Sequence, residues 1–379
     1  MKRTIQQHAI KKHAIKNKQH AITKHQMRKD QTMETSDYSM QSPADYSLLK
    51  QLFSIHSPSG HEKPMKKFIW NWIRSNVPDA SVSFDRKGNM YVIKGKEETY
   101  PCIVAHLDQV QTKHSKDFRA YETEDIIIGF SPKRKEQQGL GADDKVGIWI
   151  GLQCLQKFDG IKLAFFVEEE TGCAGSSKAD LDFFKDCRFV IQPDRRGDRD
   201  IITSIGWTSL CSEEFLKDTG YKEFGYTETD GMMTDILILK ERGMEISCIN
   251  LSCGYYEPHT DKEFIYKPAV SNCLSFIKHI IRTCTKVYPH ADDCREKEYA
   301  GYGYGDCYDE VRDLLSVHPE LSFGDVESLF RRHYGKINRE ELEISYDMAR
   351  EDILFWSNMN ENKKKSINQN KNQLCAGTF

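Results

Sequence analysis

Four short apolar runs in the middle of the chain constrain its fold more than any other feature. They read CIVAH (102–106), KLAFFVE (162–168), RFVIQPD (188–194) and ISCINLS (246–252). Their length and their β-branched and aromatic residues are typical of buried strands. Helical patterns separate several of them, notably at 144–158 and 271–284. Strands that alternate with helices predict an α/β fold, with a mixed, largely parallel central sheet flanked by helices.

The chain extends well beyond these runs. Its 379 residues suffice for one large α/β domain, which we place at 41–290. Amphipathic helical patterns follow at about 306–316, 322–334 and 338–356. They predict a C-terminal helical appendage over 291–358, and the polar end at 359–379 predicts a disordered tail.

The first 40 residues repeat His-Ala-Ile among lysines, glutamines and asparagines. Histidine-rich tracts can bind metal ions. The segment has too little apolar area to fold, however, so its composition favours a disordered basic tail over 1–40. Met33 and Met40 are alternative start sites for the native protein.

Charge, hydropathy and cysteine content argue against several classes of protein. The net charge of −3 gives no excess of basic residues, which argues against a nucleic-acid-binding protein. No apolar run approaches the roughly 18 residues of a membrane helix, and the basic N-terminus lacks the apolar stretch of a secretory signal. The 12 cysteines are scattered, and Cys102 and Cys248 sit within strand-like runs as buried thiols would. We therefore expect a protein of the reducing cytoplasm.

Metal-capable side chains follow each strand-like run. They are His106 and Asp108, the glutamates 168–170, Asp194 and His259, and GADD adds Asp143 and Asp144 at a predicted helix start. Taken alone, each has an ordinary explanation, such as a hydrogen-bonded histidine, a helix N-cap or a solvated strand end. Ligands collect at the carboxyl ends of strands in open α/β sheets, so the joint pattern predicts one site at that edge.

The residue types indicate what such a site can do. Imidazole and carboxylate together suit zinc, cobalt or manganese. Two metal ions about 3.5–4 Å apart need one bridging carboxylate, and a further carboxylate outside the ligand set can accept a proton from water. The sequence contains the histidines and carboxylates that such a site needs, and few further candidates.

Five motifs in order give a specific resemblance over residues 45–285. They read AHLD, GADDKVG, EETG, QPD and EPHTDKE. The pattern resembles the co-catalytic zinc exopeptidases, which include tripeptidases and carboxypeptidase G, glutamyl and deblocking aminopeptidases, and secreted leucyl aminopeptidases. The resemblance implies two divalent metal ions, with zinc favoured and cobalt or manganese as alternatives.

The resemblance also implies a role for each matching residue. The metal ligands would be His106, Asp143, Glu170, Asp194 and His259, with Asp143 as the bridge. Asp108 would orient the imidazole of His106, and Glu169 would be the general base. Asp144 matches no ligand, and Glu168 is interpreted as a solvated or structural carboxylate.

Two further residues are candidates for substrate binding. Asp235 matches an aspartate near the substrate end of the site in glutamyl and deblocking aminopeptidases, although a plain helix N-cap explains it equally well. Arg195 follows the Asp194 ligand and could hold a substrate carboxylate, but a solvated loop is the favoured alternative.

The chain departs from these families in its insertions. The interval from Asp194 to His259 is too short for the lid or dimerisation domain of tripeptidases. The interval from His106 to Asp143 has room for only a hairpin, not for the small β domain of the glutamyl aminopeptidases. The outline is closer to the secreted leucyl aminopeptidases, and the oligomeric state stays open.

The sequence therefore predicts a metal-dependent hydrolase that cleaves short peptides as an aminopeptidase or a di- or tripeptidase. An N-acyl amino acid deacylase would use the same site and is an open alternative. A non-catalytic scaffold of this fold is a second alternative, but such a protein would be expected to have lost ligands.

Overall fold

The computed structural model describes residues 45–291 apart from 207, and then 310–312, 314–315, 318–334, 339 and 342–350. The predicted tails at 1–40 and 359–379 lie outside the described residues, as does much of the segment 291–358. Among the helices described, none combines the length and apolar character needed to cross a membrane.

The ordered chain begins with two helices and a hairpin. These are α1 (Ser47–Phe53), α2 (Lys63–Asn76), β1 (Ser81–Phe84) and β2 (Met90–Lys94). Helix α2 buries Met65, Ile69 and Ile73, which lie on one face at a spacing of about one turn. Strands β1 and β2 pair antiparallel and form a hairpin around Lys87, Gly88 and Asn89.

A nine-stranded sheet forms the centre of the molecule. Its remaining strands are β3 (Tyr100–His106), β7 (Ile161–Phe166), β8 (Cys187–Arg195), β9 (Asp200–Ile205), β10 (Thr208–Ser209), β11 (Thr227–Asp230) and β12 (Cys248–Ser252). The order is β1-β2-β7-β3-β8-β12-β9-β10, with β11 beside β9. The four strands β7, β3, β8 and β12 run parallel, whereas β2 and β9 flank them antiparallel. The predicted mixed, largely parallel sheet is confirmed.

Helices cover both faces of this sheet because its strands are apolar on both sides. They are α3 (Ala142–Lys157), α4 (Glu213–Thr219), α5 (Asp235–Glu241) and α6 (Lys267–Thr283). Successive residues of β3 alternate between the two sides: Ile103 joins the hydrophobic cluster that contains α3 and α6, and Val104 joins the cluster that contains α5. The carboxyl ends of the parallel strands are left open between these layers.

A second, five-stranded antiparallel sheet lies beside the first. It consists of β4 (Arg119–Glu122), β5 (Ile126–Ser131), β6 (Glu136–Gln137), β13 (Tyr255–Tyr256) and β14 (Phe264–Tyr266). The predicted hairpin between the first two motifs corresponds to β4 and β5. Strand β14, which follows the last motif, pairs with β5 and so joins two segments that are distant in sequence.

Helical structure continues at the C-terminal end of the described chain. Helix α7 (Phe323–Tyr334) matches the stretch predicted at 322–334, and helical residues also occur within 310–315 and 342–350. Val311, Val326 and Leu342 belong to the hydrophobic cluster that contains α5. The C-terminal helices therefore contribute to the cover of one face of the main sheet.

Candidate active site

The five predicted metal ligands converge at the carboxyl ends of the parallel strands. His106 is the last residue of β3, and Asp194 lies near the end of β8. Glu170 lies in the turn after β7, and His259 lies in the loop between β13 and β14. Asp143 lies at the start of α3. Parallel strands bring their carboxyl ends to one edge, which is why residues far apart in sequence meet here.

The two oxygens of Asp143 face two different histidines. Oδ1 lies 3.0 Å from His106 Nε2, and Oδ2 lies 3.2 Å from His259 Nε2. Asp143 and Asp144 have non-helical backbone angles and are joined by a cis peptide bond. A carboxylate shared between two imidazoles in this way is suited to bridge two cations.

Each histidine has a second carboxylate beside it. Asp194 Oδ1 lies 3.5 Å from His106 Nε2, and Glu170 Oε2 lies 3.1 Å from His259 Nε2. We call the group His106, Asp143 and Asp194 the strand half-site. We call the group His259, Asp143 and Glu170 the loop half-site. Each contains one imidazole, one terminal carboxylate and one oxygen of the shared aspartate.

Unpartnered buried atoms support metal binding at this position. Glu170 Oε1 is buried without a hydrogen-bond partner, and His259 Nε2 lies 3.2 Å from Asp143 Oδ2 and 3.1 Å from Glu170 Oε2 without forming a hydrogen bond to either. Buried polar atoms are normally hydrogen-bonded, so these exceptions fit groups that can hold a metal ion. Nitrogen and oxygen donors in this combination fit zinc, cobalt or manganese.

Charge crowding shifts the pKa values of these groups. Burial lowers the pKa of His106, but Asp194, Asp108 and Asp143 outweigh it, so the pKa rises well above the ordinary value. Burial also lowers the pKa of His259, but the nearby carboxylates of Glu170 and Asp143 outweigh it, so this pKa also rises well above its ordinary value. Because imidazole binds a metal ion only in its neutral form, a raised pKa makes metal binding compete with protons.

Asp144 is a geometric alternative to Asp143. Its carboxylate, with His106 and Asp194, forms a group of possible ligand atoms within 4.8 Å of one another. However, Asp144 Oδ2 accepts a hydrogen bond from the backbone N–H of His106 at 3.2 Å, and Oδ1 accepts one from Gly147 at 2.9 Å. A Cβ at position 147 would lie 2.3 Å from Oδ1. Both oxygens of Asp144 thus accept backbone N–H groups, whereas the two oxygens of Asp143 face the two histidines.

Asp108 connects the strand histidine to the glutamate turn. Its Oδ1 lies 3.5 Å from His106 Nδ1 and accepts the backbone N–H of Glu169 at 3.0 Å. Its Oδ2 accepts the N–H of Glu170 at 3.2 Å and the hydroxyl of Ser59 at 2.7 Å. The fully buried carboxylate therefore lies beside the imidazole of His106 and holds, through backbone hydrogen bonds, the turn that carries two site residues.

Glu169 lies beside the ligands without belonging to either half-site. Its Oε2 is 3.9 Å from His106 Nε2, and its Oε1 accepts a hydrogen bond from Cys173 Sγ at 3.5 Å. Burial raises the pKa of Glu169 well above its ordinary value, and the negative charges of Asp194 and Asp235 add to this rise. A buried carboxyl beside His106 is placed to accept and return a proton.

Glu168 differs from its two neighbours. It has a positive φ of 53°, and its Oε2 pairs with Lys87 Nζ at 2.7 Å on the β1–β2 hairpin. The turn thus directs the Glu168 side chain to a lysine and the next two side chains to the histidines. An ion pair agrees with the interpretation of Glu168 as a structural carboxylate.

Asp235 is buried behind the ligands. It is the first residue of α5, and its Oδ2 accepts a hydrogen bond from Gln192 Nε2 at 3.4 Å. The same nitrogen donates to Asp194 Oδ2 at 3.0 Å. Burial raises the pKa of Asp235 to about 7. The helix N-cap is Thr234, so Asp235 is not the cap, and its contact with substrate stays a prediction.

Arg195 pairs within its own loop. Its Nε donates to Asp200 Oδ2 at 2.8 Å, and one fifth of the side chain is exposed. This contact anchors the turn between β8 and β9. A role in binding a substrate carboxylate stays a prediction.

Sequence reasoning missed the residues that support the ligands. Glu263, Gln192 and Lys145 are fully buried polar side chains next to the site. Glu263 and Gln192 lie within the EPHTDKE and QPD motifs, and Lys145 follows the aspartate pair. Their position within the motifs was a usable signal, but their hydrogen-bond partners come from distant segments and are visible only in three dimensions.

Comparison with known proteins gives matches to solved structures alone. No family model and no curated protein matches the chain. The aminopeptidase PepT from Bacillus cereus is 12% identical with a TM-score of 0.52, over 63% of this chain and 98% of that one. A Desulfurococcus kamchatkensis aminopeptidase is 17% identical, with a TM-score of 0.48 over 62% and 93%. A Staphylococcus aureus tripeptidase is 14% identical, with a TM-score of 0.48 over 62% and 96%.

The PepT match spans nearly the whole of that protein, and it bears on the fold alone because the identity is low. It agrees with the resemblance drawn from the five motifs. The chain therefore shares the fold of the aminopeptidase PepT.

Proposed function

We propose that this protein is a two-metal hydrolase that cleaves amide bonds of short peptides, as an aminopeptidase or a di- or tripeptidase. The observation that carries the proposal is the position of Asp143 between two histidines, at 3.0 and 3.2 Å. Each histidine has its own terminal carboxylate, and Glu169 lies beside His106 of the strand half-site. No simpler structural role explains so many buried charges at one sheet edge.

Each group has a definite task in this proposal. Divalent ions bound in the two half-sites supply Lewis-acid polarisation of the scissile carbonyl and lower the pKa of a water toward ~7. Glu169 accepts the proton of the attacking water and returns it to the leaving amine. Asp108 keeps His106 oriented through Nδ1. Zinc is the favoured ion, with cobalt and manganese as alternatives, because the ligands are imidazoles and carboxylates.

The compartment and the substrate contacts complete the proposal. None of the nine cysteines among the described residues forms a disulfide, which fits a reducing cytoplasm. Asp235 and Arg195 are proposed to act at the substrate end of the site, Asp235 through the Gln192 hydrogen bond that it shares with Asp194. The substrate side chain preferred by the site is left open.

The test exchanges the general base without disturbing the ligands. Glu169→Gln should lower turnover of a cleaved peptide by about 10²–10⁴-fold, because an amide cannot accept the proton. Metal content, measured by elemental analysis, should match the unaltered protein. Glu168→Gln is the matched control, since it makes the same change one residue away and should leave turnover intact. Normal peptidase activity in Glu169→Gln would refute the assignment.

A substrate panel defines the amide that is cleaved. Aminoacyl-p-nitroanilides, dipeptides, tripeptides and N-acyl amino acids are offered to protein reconstituted with zinc, cobalt or manganese. The proposal expects turnover of the peptides or the anilides. Turnover of N-acyl amino acids alone would replace it with a deacylase, and absence of bound metal together with absence of turnover would indicate a scaffold.

A further inference from the structure

Glu263 makes an unusual set of hydrogen bonds for a residue outside the ligand set. It is fully buried, and both of its oxygens accept. Oε2 accepts the backbone N–H of Gly141 at 2.6 Å, and Oε1 accepts those of Ala142 at 3.0 Å and Asp143 at 3.3 Å. These three consecutive amides form the turn that starts α3. One carboxylate thus holds the backbone of the bridging aspartate.

The same residue is tied to His259 through a short loop. Glu263 lies four residues after His259, and its backbone N–H donates to the carbonyl of Thr260 at 3.3 Å. The hydroxyl of Thr260 donates to the carbonyl of Glu257 at 2.9 Å and accepts the N–H of Lys262 at 3.1 Å. Because these bonds close the loop on itself, the position of Glu263 constrains the position of His259.

His259 needs such a constraint more than the other histidine does. Its backbone has φ of 60°, in the left-handed region that non-glycine residues rarely occupy. It belongs to no strand or helix, so no ladder of hydrogen bonds aligns it. Its side chain is 23% exposed, compared with 1% for His106.

A buried polar network holds Glu263 from the other side. Gln111 Nε2 donates to Glu263 Oε2 at 3.2 Å, and Gln109 Nε2 donates to Gln111 Oε1 at 3.2 Å. Gln109 Oε1 in turn accepts from Lys145 Nζ at 2.5 Å, which also donates to the carbonyls of Ile55 and Leu140. The carboxylate therefore has little freedom to shift.

We propose that Glu263 is a positioning residue that sets the separation between Asp143 and His259, and thereby the affinity of the loop half-site for its metal ion. The inference rests on the proposed two-metal function. Glu263 touches neither metal nor substrate. It holds the backbone of Asp143, which both half-sites share, and the loop of His259, which belongs to the loop half-site alone, whereas His106 and Asp194 of the strand half-site lie on strands of the sheet.

The test replaces the carboxylate by an amide of the same shape. In Glu263→Gln, the amide nitrogen must face at least one backbone N–H of 141–143, so the turn can no longer close on the side chain. Metal-free protein is titrated with Co²⁺ against a competing chelator, and each binding step is followed by visible absorption. We expect the ion of the loop half-site to bind about 10–100-fold more weakly and the other ion, which shares only Asp143 with it, to be weakened by a clearly smaller factor.

Combined variants identify which ion is weakened. Adding Asp194→Ala to Glu263→Gln should remove the remaining tight site. Adding Glu170→Ala should leave that tight site in place, because it only damages the loop half-site further. The opposite pattern, or equal weakening of both ions, would overturn the inference.

Two controls separate this role from a loss of stability. Lys240→Met removes a different buried charge, one that donates to the carbonyls of Met244 and Ile246 at 3.2 Å. It should lower the melting temperature and leave both affinities unchanged. If Glu263→Gln fails to fold, Gln111→Leu removes a single contact to Glu263 and should weaken the same ion by a smaller factor.

The unaltered protein distinguishes failure of the inference from failure of the proposed function. Fewer than two binding steps in that protein would overturn the two-metal function and the inference with it. Two steps in the unaltered protein and the same two affinities in Glu263→Gln would overturn the inference alone.

Discussion

The two half-sites use the same chemistry on different supports. In the strand half-site, His106 ends β3 and Asp194 lies in β8, and these neighbouring strands are paired in the sheet. In the loop half-site, Glu170 lies in a turn and His259 in a loop with positive φ. The strand ligands lie on strands of the main sheet, and the backbone N–H groups of His106 and Asp194 donate to the side chains of Asp144 and Asn250. The loop ligands depend on buried side chains that accept hydrogen bonds from the backbone N–H groups of the turns that carry these ligands.

Two buried carboxylates supply that support. Asp108 accepts the backbone N–H groups of Glu169 and Glu170, and Glu263 accepts those of the turn at Asp143. The difference between the half-sites shows how an α/β fold extends a site beyond its strands. A ligand on a strand takes its orientation from the sheet. A ligand on a loop also depends on hydrogen bonds between the loop backbone and buried side chains.

Removing the shared ligand should have the largest effect, because it breaks both half-sites. Asp143→Ala is expected to lose both metal ions in elemental analysis and to lower turnover to background, at least ~10³-fold. Asp144→Asn is the matched comparison. It should keep both ions while losing about 1–3 kcal/mol of unfolding free energy, because a buried amide replaces an acceptor of two backbone N–H groups. Loss of metal in Asp144→Asn alone would transfer the bridge to Asp144.

Removing one terminal carboxylate at a time should separate the half-sites. Glu170→Ala and Asp194→Ala are each expected to retain one ion of two, and turnover should fall in both.

The half-sites are expected to differ in rigidity, so hydrogen exchange of the backbone amides near 257–263 should rise in metal-free protein more than exchange in β3 and β8. Equal exchange in these segments would remove the distinction between strand and loop support.

Weakening Asp108 should have an intermediate effect that reaches both half-sites. Asp108→Asn keeps the size of the side chain but cannot accept from Glu169, Glu170 and Ser59 as well as face His106. Metal affinity should fall about 10–100-fold, as is usual when the partner of a ligand is lost. Co²⁺ titration measures both steps, and an effect confined to one of them would show that Asp108 supports a single half-site.

The sequence predicted the elements of the site better than their supports. Strand-end motifs identify His106 and Asp194 because apolar periodicity locates the strands and a sheet aligns their carboxyl ends. The fold class follows from the same periodicity. The pairing of β14 with β5 does not, because these strands are short and their contact spans many residues. The supports by Glu263 and Gln192 depend on packing between distant segments, for Glu263 at the start of α3 and for Gln192 at the start of α5, so no local pattern reveals them.

The smallest expected effect belongs to Glu168, the one glutamate of the turn that points away from both half-sites. Glu168→Gln removes its ion pair with Lys87, which is partly exposed at both ends. Ion pairs of this kind contribute about 0.2–1 kcal/mol, so the melting temperature should change slightly and the metal affinities should not change. Lys87→Met should give the same small loss, and the double variant should lose little more than either single one. A large loss of metal in Glu168→Gln would show that the turn, and not only its two ligand-facing side chains, depends on this pair.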